Sequence, residues 1–210
     1  MKNCCHNKIQ KNIPLRLLDC SDDDSVTKLT DFLNICYKDR AQKGEDYLPS
    51  VQDVETTRRR IEGKEVWVAE IDHQIVGSFT LAPHEKTGGT WWYRQPGVSE
   101  FSQVAVHPVF QKQGFFSLLM DRAEQRAAEM GSLELAGSVP AQRKWLIRAY
   151  MRRGFRIVDY KWRKNASYGF VIVSTAISET PVKSRLYRRI LRKIKYFRRF
   201  IKYKLFRKPA

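Results

Sequence analysis

The stretch VAVHPVFQKQGFFSLLM, residues 104–120, decides how this chain is put together. Its apolar opening reads as the end of a buried strand over 101–106, which Pro108 stops. From Phe115 onward, Leu118, Leu119, Ala123, Ala127 and Met130 recur at helical spacing and predict a helix over 115–130. A strand therefore runs through a tight loop directly into an amphipathic helix. The first N–H groups of such a helix have no intrahelical partner and sit at the positive end of its dipole, which suits an anion such as a diphosphate. Gly114 lets the backbone approach that anion closely, and Gln111, Lys112 and Gln113 add side-chain donors. An ordinary strand–helix connection fits the same residues.

Upstream, EVWVAEI and IVGSFTL, separated by Asp72-His73-Gln74, predict a β-hairpin over 65–81. Before it, Val26, Leu29, Phe32, Leu33 and Cys36 form a helical stripe behind the acidic opening Asp22-Asp23-Asp24. A second helix is expected over 50–62, and a short edge strand over 13–18. Downstream come a strand at 133–136, a helix at 145–151 ended by Gly154, and two closing strands at 155–161 and 168–175. The order β-α-α-β-β-β-α-β-α-β-β is an α/β mixture without internal repeats. Residues 1–12 read as a flexible leader without the apolar core of a secretory signal. The four cysteines, Cys4, Cys5, Cys20 and Cys36, show no CxxC spacing. They read as reduced thiols of a cytoplasmic protein, and no metal set is expected.

The loop resembles the signature of the GCN5-related N-acetyltransferase (GNAT) family: V-x-P, then [Q/R]-x-x-G-x-[G/A], then a helix. Here the residues are Val106-His107-Pro108 followed by Gln111-Lys112-Gln113-Gly114-Phe115-Phe116. Tyr150 to Phe155 is similar to the family's Y-x-x-x-G-F, and the hairpin and closing strand pair look like the family's own. The resemblance covers roughly residues 13–177. It implies a mixed, splayed central sheet flanked by helices, over a domain spanning 13–178, and an acyl-CoA donor. Backbone amides of Gln111, Lys112, Gln113, Gly114, Phe115, Phe116 and Ser117 would hold the diphosphate. The pantetheine arm would follow the strand Gln103, Val104, Ala105 and Val106, where the sheet splays from the strand at 133–136. Tyr150 matches the family's usual acid position, and a tyrosine holds its proton at neutral pH; packing in the core is its other reading. Glu100 matches a carboxylate that faces the amine, as base or as anchor, although a solvated glutamate would look the same. The family places Gly or Ala where Phe116 stands, so the phenyl must turn away or reshape the site. Trp91, Trp92 and Tyr93 could floor an acceptor or acyl pocket, or merely pin a long loop to the core.

The chain has 210 residues, of which 42% are hydrophobic and 25 aromatic, enough for one domain with a real core. No apolar run is long enough to span a bilayer. The net charge of +17 is uneven: of 39 Lys and Arg, 13 lie in 183–208, where there is no Asp or Glu. In the same segment Leu186, Ile190, Ile194, Phe197, Ile201 and Leu205 repeat at intervals of 3 or 4. That predicts a C-terminal basic amphipathic helix about 39 Å long. Such a helix fits the plane of an anionic membrane, giving a peripheral position on its inner face. An acidic protein such as an acyl carrier protein, or the helix of a dimer mate, would also match. Nucleic acid is disfavoured, since it leaves the apolar stripe unexplained.

The sequence thus points to an N-acyltransferase, most simply one moving an acetyl group from acetyl-CoA to a small-molecule or peptide amine in a ternary complex. A long-chain acyltransferase at a membrane, using another acyl-CoA or an acyl carrier, is the alternative within enzymes. An inactive fold serving as a membrane or partner adaptor is the rival outside them.

Overall fold

The structure, a computed structural model, describes residues 13–41, 51–87, 89–162 and 169–178. The leader and the basic segment 183–208 lie outside the described residues. One sheet of seven strands organises the rest: β1 (Leu15–Leu17), β2 (Glu65–Ile71), β3 (Gln74–Ala82), β4 (Val98–Val106), β5 (Glu134–Pro140), β6 (Arg156–Trp162) and β7 (Gly169–Ala176), in the order β1-β2-β3-β4-β5-β7-β6. The pairings are antiparallel except β4 with β5, so the sheet is mixed. The β2–β3 hairpin turns on Asp72 and His73, both at positive φ (49° and 62°), the geometry a two-residue primed turn demands.

Among the described residues four α-helices cover the two faces: α1 (Asp23–Ala41), α2 (Val54–Ile61), α3 (Phe115–Glu129) and α4 (Lys144–Arg152). Alternation along the strands assigns the faces. Phe79, Leu81, Phe101, Leu135 and Val173 point to α3 and α4, where they meet Leu119, Met120, Ala123 and Tyr150. Val66, Val68 and Ala105 point the other way, onto Val26, Leu29, Leu33 and Ile61 of α1 and α2. Trp92 and Tyr93 extend this second layer over Val98, Ala136 and Ile172.

Charged ties fix α3. Arg126 grips Glu65 of β2 in a bidentate pair (2.6 and 2.9 Å), and that hydrogen bonding holds the Glu65 carboxyl below the usual glutamate range. Arg122 lies 4.1 Å over the Trp67 ring. At the C-cap of α4, Arg153 reaches Asp121 (2.6 Å) and Glu124 (3.0 Å).

A second network is buried beneath the loop that carries the tryptophans. Glu134 is fully buried, paired with Arg156 and accepting the Ser174 hydroxyl at 2.5 Å. Ser174 in turn accepts the Trp92 indole N–H at 3.1 Å. The Arg156 guanidinium sits 5.6 Å from the Trp92 ring.

The element order agrees with the sequence expectation throughout the described residues. Two strands are longer than expected: β4 starts at Val98 rather than 101, and β5 runs on to Pro140 rather than 136. In both, small or polar residues are drawn into the ladder by their neighbours, β5 by seven paired positions on β7.

Candidate active site

The β4–β5 ladder is short. It pairs Val98–Phe101 with Glu134–Gly137 and then stops, while β5 stays with β7 as far as Pro140. Beyond Phe101 and Gly137 the two strands part, leaving an opening edged by the second half of β4 and by Ser138–Pro140. At the start of the opening β4 carries a bulge. Thr80 pairs with Ser102 and Ser78 with Ala105, so Gln103 and Val104 together face one residue of β3. Gln103 takes φ +50° to achieve this. The extra residue reverses the alternation: Val104 and Val106 join Phe101 on the α3–α4 side, and Ala105 turns to α1. The Tyr37 hydroxyl of α1 donates to the Val104 carbonyl at 2.8 Å.

The loop leading into α3 stands at one mouth of the opening. Lys112 and Gly114 adopt φ +63° and +91°, and the first helical bond runs from Leu118 N–H to the Gly114 carbonyl (3.1 Å). The N–H groups of Phe115, Phe116 and Ser117 thus precede the helical ladder, and Gly114 and Ser117 are exposed. Gln111 and Gln113 turn their side-chain amides back onto the carbonyls of Val106 (3.3 Å) and Val109 (2.9 Å). These two brace the loop. The Phe115 ring is buried under it against Phe110. Phe116 turns inward, its ring edge-on to Tyr150 at 5.2 Å, and so lies away from the exposed amides.

Tyr150 of α4 is buried in a cluster of rings, with Phe101 stacked at 5.3 Å and Phe155 edge-on at 5.3 Å. The Phe101 ring covers Gly137 so closely that a Cβ there would come within 2.2 Å of it. The last β5 position paired with β4 therefore has to be glycine for Phe101, and with it Tyr150, to keep its place.

Glu100 lies on the opposite face, in register with Ala82 and Ala136. Its charge is felt by two neighbours. Burial pushes the Tyr93 phenol well above its ordinary value, and Glu100 adds to the effect. Burial lowers Lys64, and Glu100 opposes that shift. The Tyr93 hydroxyl is 2.8 Å from Ser138 Oγ on β5 and also senses Tyr150. Trp92 and Tyr93 are each 1% exposed, and the polar atoms of both rings are engaged; Trp91 is partly buried beside them.

The structure thus gathers Glu100, Tyr93 and Tyr150 around the opening and puts the α3 loop at its mouth. The sequence reading passed over the side chain of Gln103, the hydroxyls of Ser138 and Thr80, and the Glu134 network. A bulge leaves no trace in hydropathy, and a buried glutamate looks like a surface one until its partner is located. Among the described residues no cluster of His, Cys, Asp or Glu could hold a metal ion, and no helix is long and apolar enough to cross a membrane.

An acetyltransferase (GNAT) family model matches residues 27–155, and the chain belongs to that family. Solved structures share the fold. YncA of Salmonella typhimurium, determined with its cofactor acetyl-CoA, is similar with TM-score 0.59 at 17% identity, over 83% of this chain and 99% of that one. A GNAT family acetyltransferase from Elizabethkingia anophelis with acetyl-CoA bound gives TM-score 0.57 at 16% identity, over 80% and 99%. The ribosomal-protein-S18-alanine N-acetyltransferase of Escherichia coli gives 0.59 at 12%, over 81% and 97%. Comparison with curated protein sequences returned no significant match.

Proposed function

We propose that the protein transfers an acetyl group from acetyl-CoA to a primary amine, directly and without an acyl-enzyme. The observation that carries this reading is the opening between β4 and β5, with unpaired helix-start amides at one mouth and Tyr150 and Glu100 on its two sides. The exposed Gly114 and Ser117, with Lys112 beside them, fit a diphosphate. Val104, Ala105 and Val106 lie past the last rung with β5 and offer that edge of the strand to the amide-bearing arm of the donor. The thioester supplies an activated acyl carbon. Glu100 takes the proton of the attacking amine or anchors its positive charge. Tyr150 gives its hydroxyl proton to the departing sulfur. The fold neighbours solved with acetyl-CoA support this donor.

The Phe116 ring against Tyr150 narrows the donor side next to the acid, which favours a short acyl group over a fatty one. Incubation with acetyl-CoA or a long-chain acyl-CoA, each with a panel of amines, tests this. Only acetyl-CoA should be consumed; consumption of the long-chain thioester alone would reverse the assignment. Calorimetry showing no binding of any CoA thioester would instead leave an adaptor.

Residues 183–208 dock the enzyme on an anionic membrane surface, on the strength of their 13 basic residues and apolar stripe. Deleting 183–210 should abolish co-sedimentation with anionic liposomes and leave turnover of soluble substrates within about twofold. Unchanged sedimentation would refute the docking.

A further inference from the structure

Gln103 is held in a strained conformation and carries an unmatched donor. It is 7% exposed, sits at φ +50° in the β4 bulge, and is pinned by two neighbours on β3. Ser78 Oγ donates to its carbonyl at 3.3 Å, and Thr80 Oγ1 donates to its Oε1 at 3.0 Å. With Oε1 accepting the Thr80 hydroxyl, Nε2 is the end of the amide left over. Among the described residues Nε2 is buried without a hydrogen-bond partner. A buried, unsatisfied N–H donor is costly, and backbone strain of this kind persists where function holds it. Among the described residues the packing offers no compensation, which points to a partner that arrives.

The position of the amide says which partner. Thr80 lies on the α1–α2 face with Ser78, and Glu100 pairs with Ala82, two residues along the same strand and on the same face. Gln103 and Glu100 therefore look onto one surface, about 7 Å apart along β3 at 3.3–3.4 Å per residue. Ser138 of β5 and Tyr93 of the β3–β4 loop border that surface. The α3 loop and the Phe116–Tyr150 contact belong to the other side of the sheet. A group entering between Glu100 and Gln103 meets a carboxylate at one end and a hydrogen-bond donor at the other. The ligand that matches both is an amine with an oxygen acceptor on the neighbouring carbon.

We infer that Gln103 is a positioning residue for the acceptor: its Nε2 donates to a carbonyl or carboxylate oxygen beside the reacting amine, so that the preferred acceptors are α-amino carbonyl compounds such as amino acids, their amides and peptide N-termini. This inference rests on the proposed acyl transfer and adds the substrate class to it. Simple alkylamines lack the oxygen and leave Nε2 unmatched, which the site disfavours.

The test uses the full-length protein, acetyl-CoA, and a matched pair of acceptors: alaninamide and isopropylamine, which differ by the carboxamide alone. Gln103→Met keeps the side-chain length and removes the donor. It should lower kcat/KM for alaninamide about tenfold, the size of one lost hydrogen bond, leave isopropylamine within about twofold, and leave the KM for acetyl-CoA unchanged. Taking the ratio between acceptors cancels their different intrinsic reactivity. Equal losses on both acceptors would mark Gln103 as purely structural and overturn the inference, as would no loss on either. A wild-type preference for isopropylamine would overturn it as well. If thermal melting shows that the methionine variant does not fold, Gln103→Asn carries the same test. It tolerates positive φ and retains the amide, drawn back by one carbon, and should weaken alaninamide selectively. Failure of acetyl-CoA to bind the wild type, read by calorimetry, would remove the acyl-transfer reading itself; binding with no preference for alaninamide removes the inference about Gln103 alone.

Discussion

Replacing Glu134 with alanine should destabilise the protein by about 3 kcal/mol, the low end for breaking a buried ion pair, because the Arg156 side chain left behind is 32% exposed. Glu134 is fully buried, and removing it leaves the Arg156 guanidinium without its partner and the Ser174 hydroxyl without its acceptor. The loss would spread to Trp92, whose indole depends on Ser174 and whose ring faces Arg156. For a domain whose total stability is on the order of 5–15 kcal/mol, this is a large share. Urea denaturation of the single and double variants decides the matter. Glu134→Met combined with Arg156→Leu removes both charges and should recover most of the loss, since an apolar pair of similar volume is often neutral. A single variant within about 1 kcal/mol of wild type would show that the pair contributes little.

Tyr150→Phe should reduce kcat by about 10²–10⁴-fold, the range for loss of a general acid, with little change in acetyl-CoA affinity. The ring contacts with Phe101, Phe116 and Phe155 survive the substitution, so the melting temperature should hardly move. That separation matters, because a tyrosine so deeply packed could serve the core alone. Full activity in the phenylalanine variant would assign Tyr150 to packing and remove it from the chemistry. An activity loss matched by a loss of stability would point the same way.

Much of the architecture was readable before any coordinates, because the hairpin, the α3 stripe and the α1 stripe carry clean periodicities. The α3 loop was readable for a different reason: Pro108 and Gly114 punctuate it, and Gly114 does adopt a positive φ. Lys112, also at positive φ, gave no such signal, since lysine rarely occupies that region. The ends of β4 and β5 were missed because ladder partners, rather than their own residues, extend them. The candidate site was legible only in part. Phe116 could be flagged as out of pattern, but the direction of its ring depended on Tyr150 being opposite. Trp92 and Tyr93 stood out as an aromatic run, yet their engagement with Ser174 and Ser138 joins residues 82 and 45 positions apart. Nothing local announces a contact of that kind.

The bulge at Gln103 has a consequence for any survey of substitutions along β4. Odd and even positions exchange their loyalties partway through: Phe101 shares a layer with Val104 and Val106, whereas Ala105 answers to α1. A charge tolerated at one parity before the kink should be rejected at that parity after it. Removing a single residue there would rotate the remainder of the strand by half a pleat, presenting the wrong side chains to both walls while hardly altering the composition.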